Sequence, residues 1–231
     1  MFNTYKNATV YCWYHPKIGL WLGATPELLF KIEGKKLTTI SLAGTQPYVE
    51  AGEVVWTKKE IDEQQIVTDY IVSQIKAYTD TINIGEVETV RAGNLCHLKT
   101  RITSIINSKV NLKTIIQALH PTPAICGFPK EKAQAFILEN ENYNREFYTG
   151  FLGELNLKHI KSRNFNKRNV ENSAYKTLKT QSNFYVNLRC MQLKHNEARI
   201  YVGGGVTKDS VAENEWEETV NKTKTIASIL N

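Results

Sequence analysis

Cysteine is scarce in this sequence and never paired at the spacing of a metal or redox motif. Four cysteines occur among 231 residues, and no two form a C-x-x-C pair. The sequence therefore lacks the close pairs of zinc ribbons and thioredoxin-like proteins. Isolated thiols are typical of reduced, buried side chains in a cytoplasmic protein. We predict a cytoplasmic protein without disulfides, whose buried thiols are Cys12, Cys96, Cys126 and Cys190.

Long apolar runs are missing as well. No stretch approaches the roughly 18 to 20 apolar residues that span a bilayer. The first nine residues lack the basic and apolar regions of a signal peptide. Internal repeats, low-complexity tracts and a clear interdomain linker are also absent. The sequence predicts a single domain over residues 1–231 and no membrane partner.

A positive charge is present, but it is confined to one segment. The chain has a formal net charge of +6, and residues 158–179 carry that whole excess, with seven Lys or Arg against Glu171. This segment is rich in Asn and Ser, which indicates an exposed loop leading into a short helix. A nucleic-acid contact is the alternative, but no aromatic stacking motif accompanies the charge. We therefore predict no nucleic-acid partner.

Hydrophobic periodicity predicts an α+β fold of layered antiparallel β-sheets with outer helices. Strands are predicted at Ala8–Tyr14, Gly19–Leu22, Leu28–Glu33, Leu37–Leu42, Ile82–Arg91, Leu95–Ile106, Phe147–Leu155, Phe184–Leu193 and Arg199–Val202. Helices are predicted at Lys58–Thr79, Leu112–Leu119, Lys130–Glu141 and Val211–Leu230. Gly34-Lys35 suits a hairpin turn, and Ser210 with Glu213 suits a capping box for the last helix.

The C-terminal segment predicts a site for an anion and a divalent cation. Three glycines at 203–205 follow a strand, and their backbone amides can approach an anion closely. Glu215, Glu218 and Lys222 then recur at spacings of three and four, which places them on one face of a helix. Two carboxylates one turn apart can hold a hard cation. The alternative is a solvated amphipathic helix with an internal Glu–Lys pair.

Two further residues are candidates for binding and proton transfer. In Phe184–Cys190 apolar and polar residues alternate, which predicts a strand with Arg189 on its polar face, suited to bidentate capture of a carboxylate. A solvent-facing arginine is the alternative. Glu27 follows Pro26 directly before an apolar strand, where a partly buried carboxyl has a raised pKa and can donate a proton. A plain turn residue is the alternative there.

Taken in order, eight segments resemble the chorismate-utilising enzymes, and within them the isochorismate synthase branch. They are Leu22–Leu29, Ser41–Thr45, Lys59–Glu63, Leu95–Leu98, His120–Pro129, Val186–Cys190, Gly203–Val206 and Glu215–Thr219. The His120-Pro-Thr-Pro-Ala run resembles the isochorismate branch, whereas relatives that use ammonia to make anthranilate typically carry Ala-Gly-Thr in that loop.

The resemblance implies a chorismate-binding fold and a Mg²⁺-dependent isomerisation of chorismate to isochorismate, in which water adds at C2 and the C4 hydroxyl leaves. It implies Glu27 as the general acid, and His97 facing the ring. The implied magnesium ligands are Glu63 and Glu218, with Glu215 nearby, and Gly44 lies in a loop near the metal. The implied residues that hold the substrate carboxylate are Arg189, Lys222, Gly203 and Gly205. The full-length form is expected to be a monomer.

Two departures from the family pattern leave alternatives open. The water-activating lysine of the family lies far upstream of the general acid, and neither Lys6 nor Lys17 falls in a matching motif. Gln64 also stands where many relatives carry His. The chain resembles the C-terminal part of such an enzyme, without the large N-terminal portion. The alternatives are a non-catalytic fragment that binds chorismate and Mg²⁺, and an enzyme of the anthranilate or salicylate type.

Overall fold

The computed structural model describes residues 1, 5, 8–49, 54–92, 95–161, 177–206, 208, 210–227 and 230. The strands are β1 Thr9–His15, β2 Gly19–Thr25, β3 Leu28–Glu33, β4 Lys36–Pro47, β5 Thr79–Ala92, β6 Leu95–Ile106, β7 Phe151–Lys161, β8 Thr177–Val186, β9 Cys190–Lys194 and β10 Glu197–Tyr201. The helices are α1 Lys58–Ile75, α2 Leu112–Leu119, α3 Pro123–Cys126, α4 Lys130–Asn140 and α5 Ala212–Ala227, and a short 3₁₀ helix spans Lys76–Tyr78.

The strands form two antiparallel sheets. One sheet has four strands in the order β1-β2-β9-β10, and the other has six in the order β5-β6-β4-β3-β8-β7. The predicted α+β class with layered antiparallel sheets is confirmed. Both sheets combine strands from early and late parts of the sequence, because β2 pairs with β9 and β3 pairs with β8. The turns between β2 and β3 and between β8 and β9 therefore lie side by side.

The main core lies between the six-stranded sheet and the helices α1 and α2. Along α1 the residues Val67, Ile71 and Ile75 recur at helical spacing and are buried. They pack in one cluster with strand residues such as Leu37 and Ile102. Each fully buried aliphatic side chain of this kind stabilises the fold by about 1.5–3 kcal/mol. This packing fixes α1 against the sheet.

A second, aromatic cluster supports the four-stranded sheet. Trp21 is fully buried and stacks on Tyr201 with ring centroids 5.2 Å apart, and Tyr201 stacks on Tyr148 at 5.5 Å. Phe147 meets the Trp21 ring edge to face at 5.5 Å. Such ring pairs add about 0.5–1.5 kcal/mol beyond their burial. The Phe147–Tyr148 turn is thereby joined to the small sheet.

Two glycines with positive φ shape the β3–β4 hairpin and the end of β4. Gly34, at φ 62°, turns the predicted hairpin, which the structure confirms. Gly44, at φ 71°, lies where the register between β4 and β6 shifts, between Ala43 and Thr45. Such a bulge bends a strand without ending it. For this reason β4 continues to Pro47, beyond the predicted end at Leu42.

The predicted single strand Phe184–Leu193 is wrong. The chain leaves the six-stranded sheet at Val186 and enters the four-stranded sheet at Cys190. The reason is tertiary, because the Asn187 side chain donates to Phe147 O at 2.8 Å and accepts from the Tyr11 hydroxyl. The alternation predicted Arg189 on a strand face, but its backbone is left-handed, at φ 48°, and lies outside the strands.

Other corrections concern element ends and one cysteine. β7 begins at Phe151 instead of Phe147, because Phe147–Gly150 forms a turn in which Gly150 N donates to Phe147 O at 3.1 Å. A short helix, α3, occupies a stretch predicted as a loop. The last helix begins at Ala212 instead of Val211, and the Ser210 hydroxyl donates to Glu215 Oε1 at 2.5 Å. Cys12 is exposed, whereas the other three cysteines are buried as predicted.

Some expectations concern parts of the chain that the structure does not cover. Most of the basic segment 158–179 lies outside the described residues, which leave out 162–176. Within the described ranges, none of the helices has both the length and the apolar character needed to cross a bilayer.

The helix α4 contributes no buried residue, and Phe136 and Leu138 on it are exposed.

Candidate active site

Glu27 lies in the tight connection between β2 and β3. Thr25 is fully buried, and its hydroxyl donates to Val186 O at 2.5 Å while accepting from Glu27 N at 3.3 Å. Glu27 O accepts from Val186 N at 3.0 Å. The backbone of Glu27 is therefore fixed to the end of β8, which brings the segment containing Arg189 beside it.

The environment of the Glu27 carboxyl favours its protonated form. Burial raises the pKa of Glu27 to about 7, although the charge of Arg189 opposes the rise. Desolvation penalises a carboxylate because the low-dielectric surroundings replace water. A carboxyl with a pKa near neutrality can both give and recover a proton under physiological conditions. The predicted raised pKa is thus supported by the surroundings of the side chain.

Arg189 faces Glu27 because its backbone is anchored to β2. Arg189 O accepts from Ala24 N at 3.1 Å, and the preceding Asn187 is fixed by its bonds to Tyr11 and Phe147. Burial lowers the pKa of Arg189, while Tyr5 and Glu27 oppose that shift. A guanidinium stays charged even so. The structure thus puts a desolvated cation beside a carboxyl of raised pKa.

His97 lies opposite Thr45 in the β4–β6 pair, next to the Gly44 bulge. Its Nδ1 is 3.1 Å from Thr45 Oγ1 and 3.3 Å from Gly44 O. Burial lowers the pKa of His97, and the charges of Arg189 and Lys222 lower it further. The ring is therefore neutral at pH 7. A proton on Nδ1 can be donated to Gly44 O, which leaves Nε2 as an acceptor.

Two carboxylates near the start of α1, Glu60 and Glu63, have different surroundings. Glu60 accepts from Thr57 N at 3.0 Å and from the Thr57 hydroxyl, so it closes a capping box. Burial pushes the pKa of Glu60 up, but hydrogen bonds from Thr57 and Gln46 outweigh this and leave it lowered. Glu63 lies 3.9 Å from Lys59 Nζ. Glu60 is committed to the helix end, whereas Glu63 can accept a ligand.

Glu63 belongs to a cluster of carboxylates contributed by two helices. Its pKa is raised first by burial and then by the charges of Glu60, Glu215 and Glu218, while Lys59 opposes the rise. A methyl group built on Gly204 would lie 3.6 Å from Glu215 Oε2 and 4.0 Å from Glu218 Oε2. The glycine run thus passes directly beside the carboxylates of α5, as the sequence predicted.

Lys222 joins α5 to the glycine run. Its Nζ lies 2.6 Å from Glu218 Oε1 and donates to Gly203 O at 2.9 Å. Glu218 and Lys222, four residues apart on one helix face with the acid first, therefore form an ion pair. The charge of Lys222 also lowers the pKa of His97, so its ammonium lies within electrostatic range of that imidazole.

The donor set of this cluster fits a hard divalent cation. Glu63, Glu215 and Glu218 offer oxygen ligands, and their mutual repulsion raises the pKa of Glu63. Among the described residues, no three His, Cys, Asp or Glu side chains are close enough together to count as a formed metal site. Binding would therefore have to draw these carboxylates together. The predicted ligand roles of the three glutamates stay a prediction.

Tyr148 lies beside the glycine run, a position that no pattern in the sequence indicated. Its hydroxyl would lie 2.6 Å from a Cβ built on Gly203, so any other residue at 203 would require this ring to shift. Gly205 differs, because a Cβ there would meet nothing within 4 Å in the described structure. Gly203 thus has a packing reason to be glycine, and Gly205 has none. The contact could be found only once the Phe147–Gly150 turn was seen beside β10.

The predicted residues therefore fall into two adjoining groups. One group comprises Glu27, Arg189 and His97. The other group comprises Glu63, Glu215, Glu218 and Lys222. Gly44 lies between them, where a Cβ would come within 3.0 Å of Glu60 Cβ. Beside α5, a cavity of about 350 Å³ is lined by residues of the glycine run and the helix, including Glu215 and Trp216.

Comparison with known proteins identifies what this arrangement is similar to. A family model described as chorismate binding enzyme matches residues 1–160, and a second model with that description matches residues 174–228. Together the two matches include both groups of site residues.

Several curated relatives are isochorismate synthases. The chain is 29% identical over 220 residues to isochorismate synthase EntC of Escherichia coli, which covers 91% of this chain and 51% of that enzyme. It is 28% identical over 215 residues to isochorismate synthase DhbC of Bacillus subtilis, covering 89% of this chain and 49% of that enzyme. The chain thus spans about half the length of the curated relatives that it matches.

Solved structures agree with the fold. The menaquinone-specific isochorismate synthase MenF of Escherichia coli superposes with a TM-score of 0.76 at 26% identity, covering 93% of this chain and 46% of that one. A DhbC described as a putative 2,3-dihydroxybenzoate-specific isochorismate synthase, from Bacillus anthracis, gives 0.80 at 26% identity, covering 99% and 59%. Anthranilate synthase component I of Streptococcus pneumoniae, at 21% identity and a TM-score of 0.72, shares the fold alone.

Proposed function

Because the chain belongs to the chorismate-binding enzyme family, we propose that it converts chorismate to isochorismate. Water adds at C2 of the ring, the C4 hydroxyl leaves, and the ring double bonds shift. The observation that carries this proposal is the Glu27 carboxyl, whose pKa burial raises to about 7 although the charge of Arg189 opposes the rise. A leaving hydroxyl needs a proton donor of that kind. The relatives named above as isochorismate synthases support this choice of reaction.

The cations of the site suit a substrate with two carboxylates. Arg189 offers a planar fork of donors, and burial makes each charge-assisted hydrogen bond stronger than in water. Lys222 offers a second cation beside the carbonyl of Gly203. We assign the recognition of one substrate carboxylate to these two groups and to the amides of the glycine run. Charge neutralisation then offsets the cost of removing the dianion from water.

Glu27 and His97 act at the ring. Glu27 gives its proton to the C4 oxygen, which departs as water, and the proton lost by the attacking water restores the balance. His97 is held neutral by burial and oriented by Gly44 and Thr45. It therefore contributes an uncharged acceptor to the ring face. In the family that the chain resembles, the base that takes the proton from water is a lysine far upstream of the general acid, and neither lysine before Glu27 in this sequence falls in a matching motif.

Magnesium is the cation that this donor set suits. Glu63, Glu215 and Glu218 would hold it, completed by water and a substrate carboxylate. When bound, Mg²⁺ supplies charge neutralisation for that carboxylate. Burial is the main cause of the raised pKa of Glu63, and the nearby charges of Glu215 and Glu218 add to it, which supports placing the three carboxylates around one cation.

Binding without turnover is a second candidate function, and one observation favours it. Lys17 lies in the exposed turn between β1 and β2, at the end of the hairpin where His15 pairs with Gly19. Thr25 is at the opposite end, about 20 Å away at the usual rise per strand residue. Lys17 therefore does not reach Glu27. Lys6 lies outside the described residues.

The test is a calorimetric titration of chorismate into the chain, with Mg²⁺ and then with EDTA, followed by chromatography of the products. Binding that needs Mg²⁺ together with formation of isochorismate supports the proposal. Binding without any product supports the second candidate. Anthranilate or salicylate as the product would overturn the choice of reaction, and no binding under either condition would overturn both candidates.

A further inference from the structure

Directly after Glu63, the side chain of Gln64 is buried in a network of hydroxyl groups. Gln64 is 2% exposed. Its Nε2 donates to Thr100 Oγ1 at 2.6 Å and to Thr68 Oγ1 at 3.1 Å, with Ser41 Oγ at 3.4 Å. The Thr68 hydroxyl lies 2.9 Å from Ser41 Oγ. One amide thereby connects α1 to two neighbouring strands.

The network differs from the rest of the α1 interface. Beyond Thr68 the buried residues of the helix are Tyr70, Ile71 and Ile75, which pack in the apolar core. The hydrogen-bonded end is the one next to the carboxylates, and there all four members of the network are buried. Apolar packing tolerates small rotations of a helix, whereas hydrogen bonds have preferred directions. The polar end therefore fixes the rotation of α1 more narrowly than the apolar end does.

The network also lies beneath the residues of the site. Ser41 and Thr100 are paired across β4 and β6, and the same two strands continue to the bulge at Gly44 and to the Thr45–His97 pair. Because adjacent helix residues point about 100° apart, the fixed direction of Gln64 determines the direction of Glu63.

We propose that Gln64, with Ser41, Thr68 and Thr100, is a positioning residue for the divalent cation. It holds the start of α1 so that Glu63 faces Glu215 and Glu218 across the gap between the two helices. This inference rests on the proposed function, because it assigns Glu63 to cation binding. Hydrogen bonds that orient a metal ligand typically contribute 10–100-fold to metal affinity.

The test compares matched pairs of variants in the full chain. Gln64→Leu and Thr100→Val each remove a polar group of the network with a side chain of similar shape, Thr100→Ser keeps the hydroxyl, and Ile71→Val weakens only the apolar part of the same interface. The readouts are thermal stability, the Mg²⁺ dissociation constant with chorismate present, and binding of Tb³⁺, a hard oxygen-seeking ion that needs no substrate.

We expect Gln64→Leu and Thr100→Val to raise the dissociation constants of both ions about 10-fold or more. Thr100→Ser and Ile71→Val should bind both ions as the unaltered chain does. Equal ion affinities in all variants, with lowered melting temperatures only, would overturn the inference and make the network purely structural. Failure of the unaltered chain to bind either ion would overturn it too. Tb³⁺ binding without isochorismate formation would sink the proposed reaction and leave the positioning role to be decided by the variants.

Discussion

Glu27 and Glu63 are two carboxyl groups whose pKa values burial raises, yet their neighbours are opposite in charge. Glu27 faces the guanidinium of Arg189, which opposes the rise. Glu63 lies near the carboxylates of Glu60, Glu215 and Glu218, which add to the rise, while Lys59 opposes them. A carboxyl that stays protonated beside a cation suits proton donation. A carboxylate crowded by other carboxylates suits a cation. The same residue type is thus directed to two kinds of chemistry by what surrounds it.

The largest expected effect comes from removing the proton at the first group. Glu27→Gln keeps the shape and a hydrogen-bond donor but has no transferable proton. We expect isochorismate formation to fall by about 10²–10⁴-fold, while the dissociation constant of chorismate changes little. Chromatography and calorimetry measure the two quantities. Glu33→Gln, on the exposed end of β3, is the control. Loss of binding together with turnover would mean that Glu27 holds the substrate instead.

Glu63→Gln tests the second carboxyl group and should weaken the binding of Mg²⁺ more than it lowers turnover at saturating Mg²⁺. The amide removes a charged oxygen ligand, so we expect Mg²⁺ to bind on the order of 100-fold more weakly. Turnover at saturating Mg²⁺ should recover in part. A Mg²⁺ titration of the rate, with and without the substitution, measures this. An unchanged Mg²⁺ requirement would remove Glu63 from the ligand set.

The pH dependence of stability sharpens the difference at Glu27. Its pKa rises from 4.5 to about 7 on folding. As the pH increases, the unfolded chain therefore loses this proton at a lower pH than the folded chain does. The stability tied to this proton is full below pH 4.5 and is lost as the pH rises through about 7. Relative to Glu27→Gln, the chain should lose at most about 3 kcal/mol across that interval. Urea unfolding at several pH values measures it, and parallel pH curves for the two proteins would contradict the assignment.

The smallest effect is expected at the edge of the acidic cluster. Lys59 lies 3.9 Å from Glu63 and is 39% exposed. Partly exposed pairs contribute about 0–1 kcal/mol, so Lys59→Ala should change stability by less than that. Mg²⁺ binding should be unchanged or slightly tighter, because the cation competes less with lysine. A large loss of Mg²⁺ affinity would show that Lys59 has a role in the site itself.

Much of the fold was predictable because local pattern determines it. The strands Leu28–Glu33 and Leu95–Ile106 and the helix Leu112–Leu119 have the predicted bounds, since alternation or helical spacing coincides there with turn and capping residues. The helix face shared by Glu218 and Lys222 also follows from spacing alone. The chorismate-binding family could be predicted as well, from short motifs in a fixed order.

What could not be predicted depends on contacts between distant segments. The alternation around Arg189 indicates a strand, but Asn187 is bound to Tyr11 and Phe147 and the chain turns there. Tyr148 reaches Gly203 only because a turn packs against the small sheet. Gln64 was noted in the sequence as a departure from the family, yet its hydroxyl partners on β4 and β6 are visible only in the structure.

The side-by-side turns at β2–β3 and β8–β9 also determine when the site can assemble during folding. The bond from Thr25 to Val186 joins residues 161 positions apart, and that from Tyr11 to Asn187 joins residues 176 positions apart. Closing such large loops costs conformational entropy before the stabilising contacts form, so topologies of this kind fold slowly. On the ribosome, Glu27 emerges well before its partner Arg189. The proposed site therefore cannot assemble until nearly all of this chain has been synthesised, and the edges of β2 and β3 that pair with β9 and β8 stay open until then.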